Sequence, residues 1–208
     1  MWRVAEWFPD INPETIKRLK AYHAELLKFN LRLNLISRTT EREADEVHFA
    51  DSILAFRAIQ KVGLSGKVHD IGSGNGLPGL IFALLSPTTE FHLVESDVRK
   101  CEFLKHVVHV LEISNANILN VRLESLAGTG VSQAVSRGFA SVTKTLLTCN
   151  RLASKGARFF HLKGNSWSSE IAEIPTQLIS VWSPELVAEY TLPASQARRA
   201  VVLTTKIA

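Results

Sequence analysis

The stretch Val68-His69-Asp70-Ile71-Gly72-Ser73-Gly74-Asn75-Gly76-Leu77-Pro78-Gly79 decides the fold. It joins a short apolar run, Lys67–Ile71, to a helical segment expected over Leu77–Leu85, and four glycines fall in its last eight residues. Glycine is needed where the backbone takes positive φ or where a ligand lies against the main chain. A glycine-rich turn between a first strand and a first helix places such a site at the carboxyl edge of an open sheet. The expected result is a concave turn of exposed amides. A plain tight loop would need fewer glycines.

Working outward, the pattern repeats. Phe91–Val94 reads as a second strand, followed by a helix from about Asp97 to Leu111. Ile118–Val121 is a third strand and Ala134–Ser136 a short fourth. A helix over Ser141–Leu152 leads to a fifth strand at Ala157–Leu162. Strands alternating with helices argue for crossover units and a mostly parallel sheet covered on both faces. Leu178–Val187 and Arg199–Thr205 read as two further strands, forming an antiparallel pair at the sheet edge. Upstream, residues 1–62 read as a helical extension packed on a core domain of residues 63–208. Asn12-Pro13-Glu14 supplies an N-cap, a proline in the first turn and an acid. Ile16, Leu19, His23, Leu26, Asn30 and Leu33 then recur at helical spacing. A second helix is expected from about Glu41 to Gln60, with His48, Asp51 and Ser52 on one face. His48 and Asp51 are read as pinning the extension to the core in preference to a catalytic role.

Composition narrows the class. The chain has 208 residues, 46% hydrophobic and 21% charged, which is globular and not disordered. Two cysteines exclude a disulfide-stapled scaffold, and MWRVAEWFPD carries no signal-peptide pattern. No apolar run can span a bilayer, so the expected setting is cytoplasmic and reducing, with no membrane and no obligate protein partner. Twenty-four Lys and Arg against twenty Asp and Glu leave a net charge of +4. The surplus lies in the last 68 residues. Between Glu124 and Glu170 there is no acid, while Arg137, Lys144, Arg151, Lys155, Arg158 and Lys163 fall in the gap. Such one-signed charge can attract a nucleic acid; it can equally be an ordinary solvated face. Lys144, Arg151, Lys155 and Arg158 are the candidates for neutralising RNA phosphates, with Lys163 at the end of the fifth strand meeting phosphate or capping that strand. The histidines and cysteines are not at metal-ligand spacing, and no metal is expected.

The ligand class follows from the turn and from Glu95. Gly74-x-Gly76-x-x-Gly79 matches the dinucleotide pattern, and Glu95 ends the second strand, where an acid accepts both hydroxyls of an adenosine ribose. Asp70, placed to meet a cationic amino-acid group, and Pro78 inside the helix start favour S-adenosylmethionine over NAD. Neither decides on physical grounds alone. An NAD-dependent oxidoreductase and a non-catalytic nucleotide sensor that contacts RNA stay open at this point.

Several segments in order resemble one family: HDIGSGNGLPGL, HLVESDVRKCEFL, AVSRGFAS and FFHLKG, with Leu33–Ser37, His48–Ser52 and Arg198–Leu203 as further matches. They are similar to the small-subunit ribosomal RNA guanine-N7 methyltransferases known as methyltransferase G or glucose-inhibited division protein B. The resemblance implies a Rossmann-like class I S-adenosylmethionine-dependent fold and methylation of N7 of a guanine in 16S ribosomal RNA, free or in a small-subunit particle. It also implies cofactor contacts at Gly72, Leu77, Leu123, Glu124 and Arg137, beside Asp70, Gly74 and Glu95 read from the turn. Arg137, at the carboxyl end of a central strand, could hold a carboxylate or the RNA backbone, or pair with a neighbouring acid. Gly138 stands where the family usually has alanine, and Ile36 where it has threonine. A guanine N7 attacks through a free lone pair, so no general base is required and no catalytic residue is nominated.

Overall fold

A computed structural model describes residues 2–64 and 66–208. Its core is a seven-stranded sheet: β1 (Lys67–Ile71), β2 (Glu90–Glu95), β3 (Ala116–Asn120), β4 (Val131–Arg137), β5 (Ala153–Lys163), β6 (Trp182–Thr191) and β7 (Arg198–Lys206), in the order β3-β2-β1-β4-β5-β7-β6. The first five strands run parallel, and β7 pairs antiparallel with both β5 and β6. The order reverses between β1 and β4, which opens a crevice beyond their carboxyl ends.

The helices are α1 (Val4–Trp7), α2 (Pro13–Leu33), α3 (Asp51–Val62), α4 (Gly79–Leu85), α5 (Val98–Val110), α6 (Val142–Cys149), α7 (Trp167–Ala172) and α8 (Thr176–Ile179). α2 starts where the sequence places it: the Asn12 side chain accepts from Glu14 N at 2.8 Å and Pro13 needs no partner for its nitrogen. The Asp97 side chain caps α5 in the same way. α4 starts at Gly79, two residues later than expected, because the glycine turn continues through Pro78.

Two other expectations are corrected. The helix expected over Glu41–Gln60 is three pieces: a 3-10 segment Arg38–Glu43, a π-turn Asp45–Ala50, and α3. The wider turn lets successive acids face inward to different partners. Asp45 pairs with Arg3 at 2.8 Å, and the Glu46 carboxylate accepts from the Ala194 and Ser195 amides at 2.9 and 2.7 Å. The strand expected from Leu178 begins at Trp182; Leu178 belongs to α8, whose Pro175 start suits a helix entry.

One apolar cluster runs from Val4, Leu19, Tyr22 and Phe49 through Ile53 and Ile59 to Leu80, Phe91, Phe160 and Val201. Residues of the extension and of the sheet therefore share one core on one face. The opposite face is filled by α6 and α8, with Leu146, Leu178, Phe159 and Trp182. Among the described residues no helix is long and apolar enough to cross a membrane.

Candidate active site

The crevice at the switch point is a cleft of about 860 Å³ lined by the Gly72–Asn75 turn, Leu77, Glu95, Leu123, Arg137, Phe139 and Lys163, with Leu35, Val47, His48 and Asp51 from the extension. Six of the predicted residues thus meet there with Gly74: Gly72, Leu77, Leu123, Arg137, Glu95 and Lys163.

The turn differs from its expected form. Gly72 N and Ser73 N donate to Val94 O at 3.0 and 3.1 Å, and Gly76 N donates to Ser73 O at 2.6 Å. Gly74 N donates to Glu95 Oε2 at 2.9 Å, and Leu77 N to the Asn75 side chain at 3.1 Å. Most of these amides are taken up by Val94 O, Ser73 O and the Glu95 and Asn75 side chains, so the turn is not an anion nest. The start of α4 is equally closed, since Pro78 has no N–H and Gly79 N donates to Asp70 Oδ2 at 3.1 Å. A pyrophosphate needs free amides at such a helix start; here the Gly72, Ser73, Gly74, Gly76, Leu77 and Gly79 amides are already engaged.

What the cradle does offer is main-chain surface and one carboxylate. A methyl group added at Gly74 would meet only Gly72 O, at 3.7 Å, so the backbone there is open to a ligand. At Gly72 the same atom would overlap the Phe139 ring, which covers that glycine from the end of β4. Gly76 faces the other way: a Cβ would run into the Tyr22 hydroxyl, Leu80 and Leu104, so this glycine, at φ +85°, serves close packing. Glu95 is half-buried at the cleft, and its Oε1 also accepts from Asp97 N at 2.8 Å. Each oxygen keeps a second lone pair, enough to accept two sugar hydroxyls. Leu123 adds a buried apolar wall. These groups fit the adenosyl part of S-adenosylmethionine.

Asp70 is corrected. It does not line the cleft; it lies 1% exposed beneath the turn, against Gly79, and burial raises its pKa to about 7. Its Oδ2 accepts from Gly79 N and so holds the turn. Glu124 is exposed on the 3-10 turn Leu123–Leu126 and is absent from the cleft lining.

Arg137 reaches the extension. Its Nη1 donates to Val47 O at 3.3 Å and to Asp51 Oδ2 at 3.4 Å, and its Nη2 lies 3.3 Å from His48 Nδ1. Burial and the Arg137 and Arg199 charges lower the His48 pKa to about 3, so its ring is neutral. Nδ1 then accepts from Arg137, and Nε2 donates to Thr40 Oγ1, 3.1 Å away. Lys163 Nζ donates to Ala140 O at 2.7 Å and pairs with Glu170 at 2.8 Å, also at the cleft.

The remaining basic candidates are not in the cleft. Lys144, Arg151 and Lys155 are exposed outside it. Arg158 donates to Gly63 O and Val62 O at 2.9 and 2.8 Å, ending α3 near the start of β1. Sequence reasoning missed Phe139 and Asn75 in the cleft; Asn75 Nδ2 donates to Leu35 O at 3.2 Å and so ties the turn to the extension. The SRGFAS segment around Phe139 was the available signal.

Comparison with known proteins agrees with this geometry. The pattern of the family described as rRNA small subunit methyltransferase G matches residues 15–196. The chain is 50% identical over 208 residues to ribosomal RNA small subunit methyltransferase G 3 of Bdellovibrio bacteriovorus, covering 100% of this chain and 94% of that one. It is 34% identical over 193 residues to ribosomal RNA small subunit methyltransferase G of Desulfotalea psychrophila, covering 90% and 88%. In fold it resembles a mutant of MtNAS in complex with S-adenosylmethionine, with a TM-score of 0.61 at 14% identity, covering 90% of this chain and 73% of that one. It also resembles precorrin-6y C5,15-methyltransferase of Geobacter metallireducens, with a TM-score of 0.53 at 10% identity, covering 74% and 87%.

Proposed function

The chain belongs to the rRNA small subunit methyltransferase G family, and from that premise we propose that it methylates N7 of one guanine in 16S ribosomal RNA. It is an S-adenosylmethionine-dependent rRNA methyltransferase with a class I fold. The observation that carries the cofactor reading is the closed amide turn beside Glu95: it suits a cofactor gripped by its sugar and not by a pyrophosphate. The same observation counts against NAD.

When bound, S-adenosylmethionine supplies a methyl group already activated on a sulfonium. The protein's part is placement. Glu95 would accept from the ribose hydroxyls, the open main chain at Gly74 would lie against the cofactor, and Leu77 and Leu123 would supply apolar walls. Arg137, held by Asp51 and His48, keeps the carboxyl end of β4 against the extension and gives the cleft a fixed positive rim. Guanine N7 carries a lone pair and no proton, so none of these residues has to remove one. That accords with His48, whose ring nitrogens are engaged by Arg137 and Thr40, and with Asp51, whose oxygens are engaged by Arg137 and Tyr190. Alignment of two reactants by such a site is worth roughly 7–11 kcal/mol of barrier. Lys163, at the cleft wall, is held by Ala140 O and Glu170, and the substrate is the RNA itself or an assembling small subunit in the cytoplasm.

The test is transfer of labelled methyl to 16S RNA and to small subunits from cells lacking this protein, followed by nuclease digestion and mass mapping. A single 7-methylguanosine is expected. A different methylated base, or no product on either substrate, would overturn the reading. A parallel titration should show binding of S-adenosylmethionine and none of NAD.

A further inference from the structure

Beside the cleft lies a second hollow of about 360 Å³, lined by Gly164, Trp167, Ser168, Glu189, Arg198 and Arg199. Gly164 and Arg199 line both, so the two spaces adjoin. Trp167 follows the end of β5 and is half-buried, yet it belongs to neither apolar cluster. Its Nε1 donates to Glu189 Oε1 at 3.0 Å, which fixes the indole at the rim. Arg198 Nη2 pairs with the same carboxylate at 3.3 Å. Arg199 leans the other way, with Nε 3.8 Å from Asp51 Oδ1 and Nη1 donating to Arg198 O at 3.0 Å. Two guanidiniums and one carboxylate leave the hollow positive.

An aromatic side chain placed outside the core and tethered through its edge is a surface for stacking, and stacking on a base tolerates any sequence. A guanidinium between two adjoining spaces is placed to hold a phosphate that links their occupants. We propose that this hollow seats the nucleotide next to the target guanine, its base against Trp167 and the linking phosphate on Arg199. The inference rests on the RNA-methylating function above.

The experiment measures methyl transfer to 16S RNA by wild type, Trp167→Ala and Trp167→Phe, with S-adenosylmethionine binding by calorimetry as the check on folding. Trp167→Ala should raise KM for RNA about tenfold with kcat and cofactor affinity little changed. Trp167→Phe should recover most of the loss, since a ring is retained, and it carries the test if the alanine variant fails to bind cofactor. Ultraviolet cross-linking of the wild type should join Trp167 to the nucleotide adjacent to the methylated one. An unchanged KM in Trp167→Ala, or a cross-link elsewhere in the RNA, overturns the subsite while leaving the methyltransferase reading intact. No transfer by the wild type would overturn both.

Discussion

Arg137 Nη1 lies 3.4 Å from Asp51 Oδ2, joining the carboxyl end of β4 to the first turn of α3. Asp51 Oδ1 accepts from the Tyr190 hydroxyl at 2.8 Å and faces Arg199 at 3.8 Å. One carboxylate, its side chain 6% exposed, therefore bridges two guanidiniums and fixes the extension, β4 and the β6–β7 edge together. Removing it strands both cations where water reaches them poorly. Asp51→Ala should lower stability by about 3 kcal/mol, at the low end expected for breaking a buried pair. Urea unfolding of the two proteins measures this, and a loss below about 1 kcal/mol would assign the contact to the screened surface class.

Glu95 makes a different prediction because its work is on the ligand. Its carboxylate already shapes the turn through Gly74 N and Asp97 N, so Glu95→Gln retains one acceptor and much of that geometry. What it loses is negative charge and one acceptor oxygen facing the sugar hydroxyls. Hydrogen bonds to charged groups contribute about 1.5–3 kcal/mol. S-adenosylmethionine should thus bind at least about tenfold more weakly to Glu95→Gln in calorimetry, with the melting temperature of the free protein close to wild type. Equal affinity would place the ribose elsewhere.

Asp70 should show itself through pH. Burial raises its pKa to about 7 from an ordinary 3.8, so the folded state holds a proton that the unfolded chain releases between those values. More protons bound in the folded state means that stability falls as pH rises from about 4 to 7, and the penalty is complete above 7. His48 and His161, both lowered to about 3 by burial, act in the opposite sense: their contribution is lost as pH falls below the usual histidine range. The wild-type profile is a sum of opposed slopes, and only a difference isolates Asp70. Asp70→Asn keeps an acceptor for Gly79 N and cannot ionise. Its stability relative to wild type should be greater at pH 8 than at pH 4, read from chemical unfolding at both. A difference independent of pH would show that Asp70 titrates normally.

These residues also mark where the sequence could and could not be read. The path from β1 through the turn and α4 to β2 is local: strand pattern, glycine spacing and Glu95 all sit within 29 residues of Lys67 and predict one another. Asp70 lies in the same stretch, yet sequence spacing does not say whether a carboxyl at the strand end points to the crevice or beneath the turn. That depends on Gly79 packing against it, which only the folded chain shows. The π-turn at Asp45–Ala50 was hidden because its cause is distant, in Arg3 and Ser195. Trp167 is hidden for a similar reason, since its partner Glu189 arrives from β6.

Arg158 supplies the last test, because charge along the chain suggested a role in RNA contact that its surroundings oppose. Its two terminal nitrogens donate to Val62 O and Gly63 O at the carboxyl end of α3, and its guanidinium lies 5.2 Å from the Phe160 ring centroid. A cation at a helix carboxyl terminus satisfies orphan carbonyls and contributes roughly 0.3–1 kcal/mol, up to about 2 when partly buried. Arg158→Ala should therefore lower stability by about 1 kcal/mol and leave the salt dependence of RNA binding unchanged. Arg199→Ala should instead reduce the log–log salt slope by about 1, the change expected for losing one phosphate contact. Filter binding of 16S RNA across a salt series reads both slopes. A shallower slope in Arg158→Ala with an unaltered slope in Arg199→Ala would move the RNA surface from the carboxyl edge of the sheet to the opposite edge.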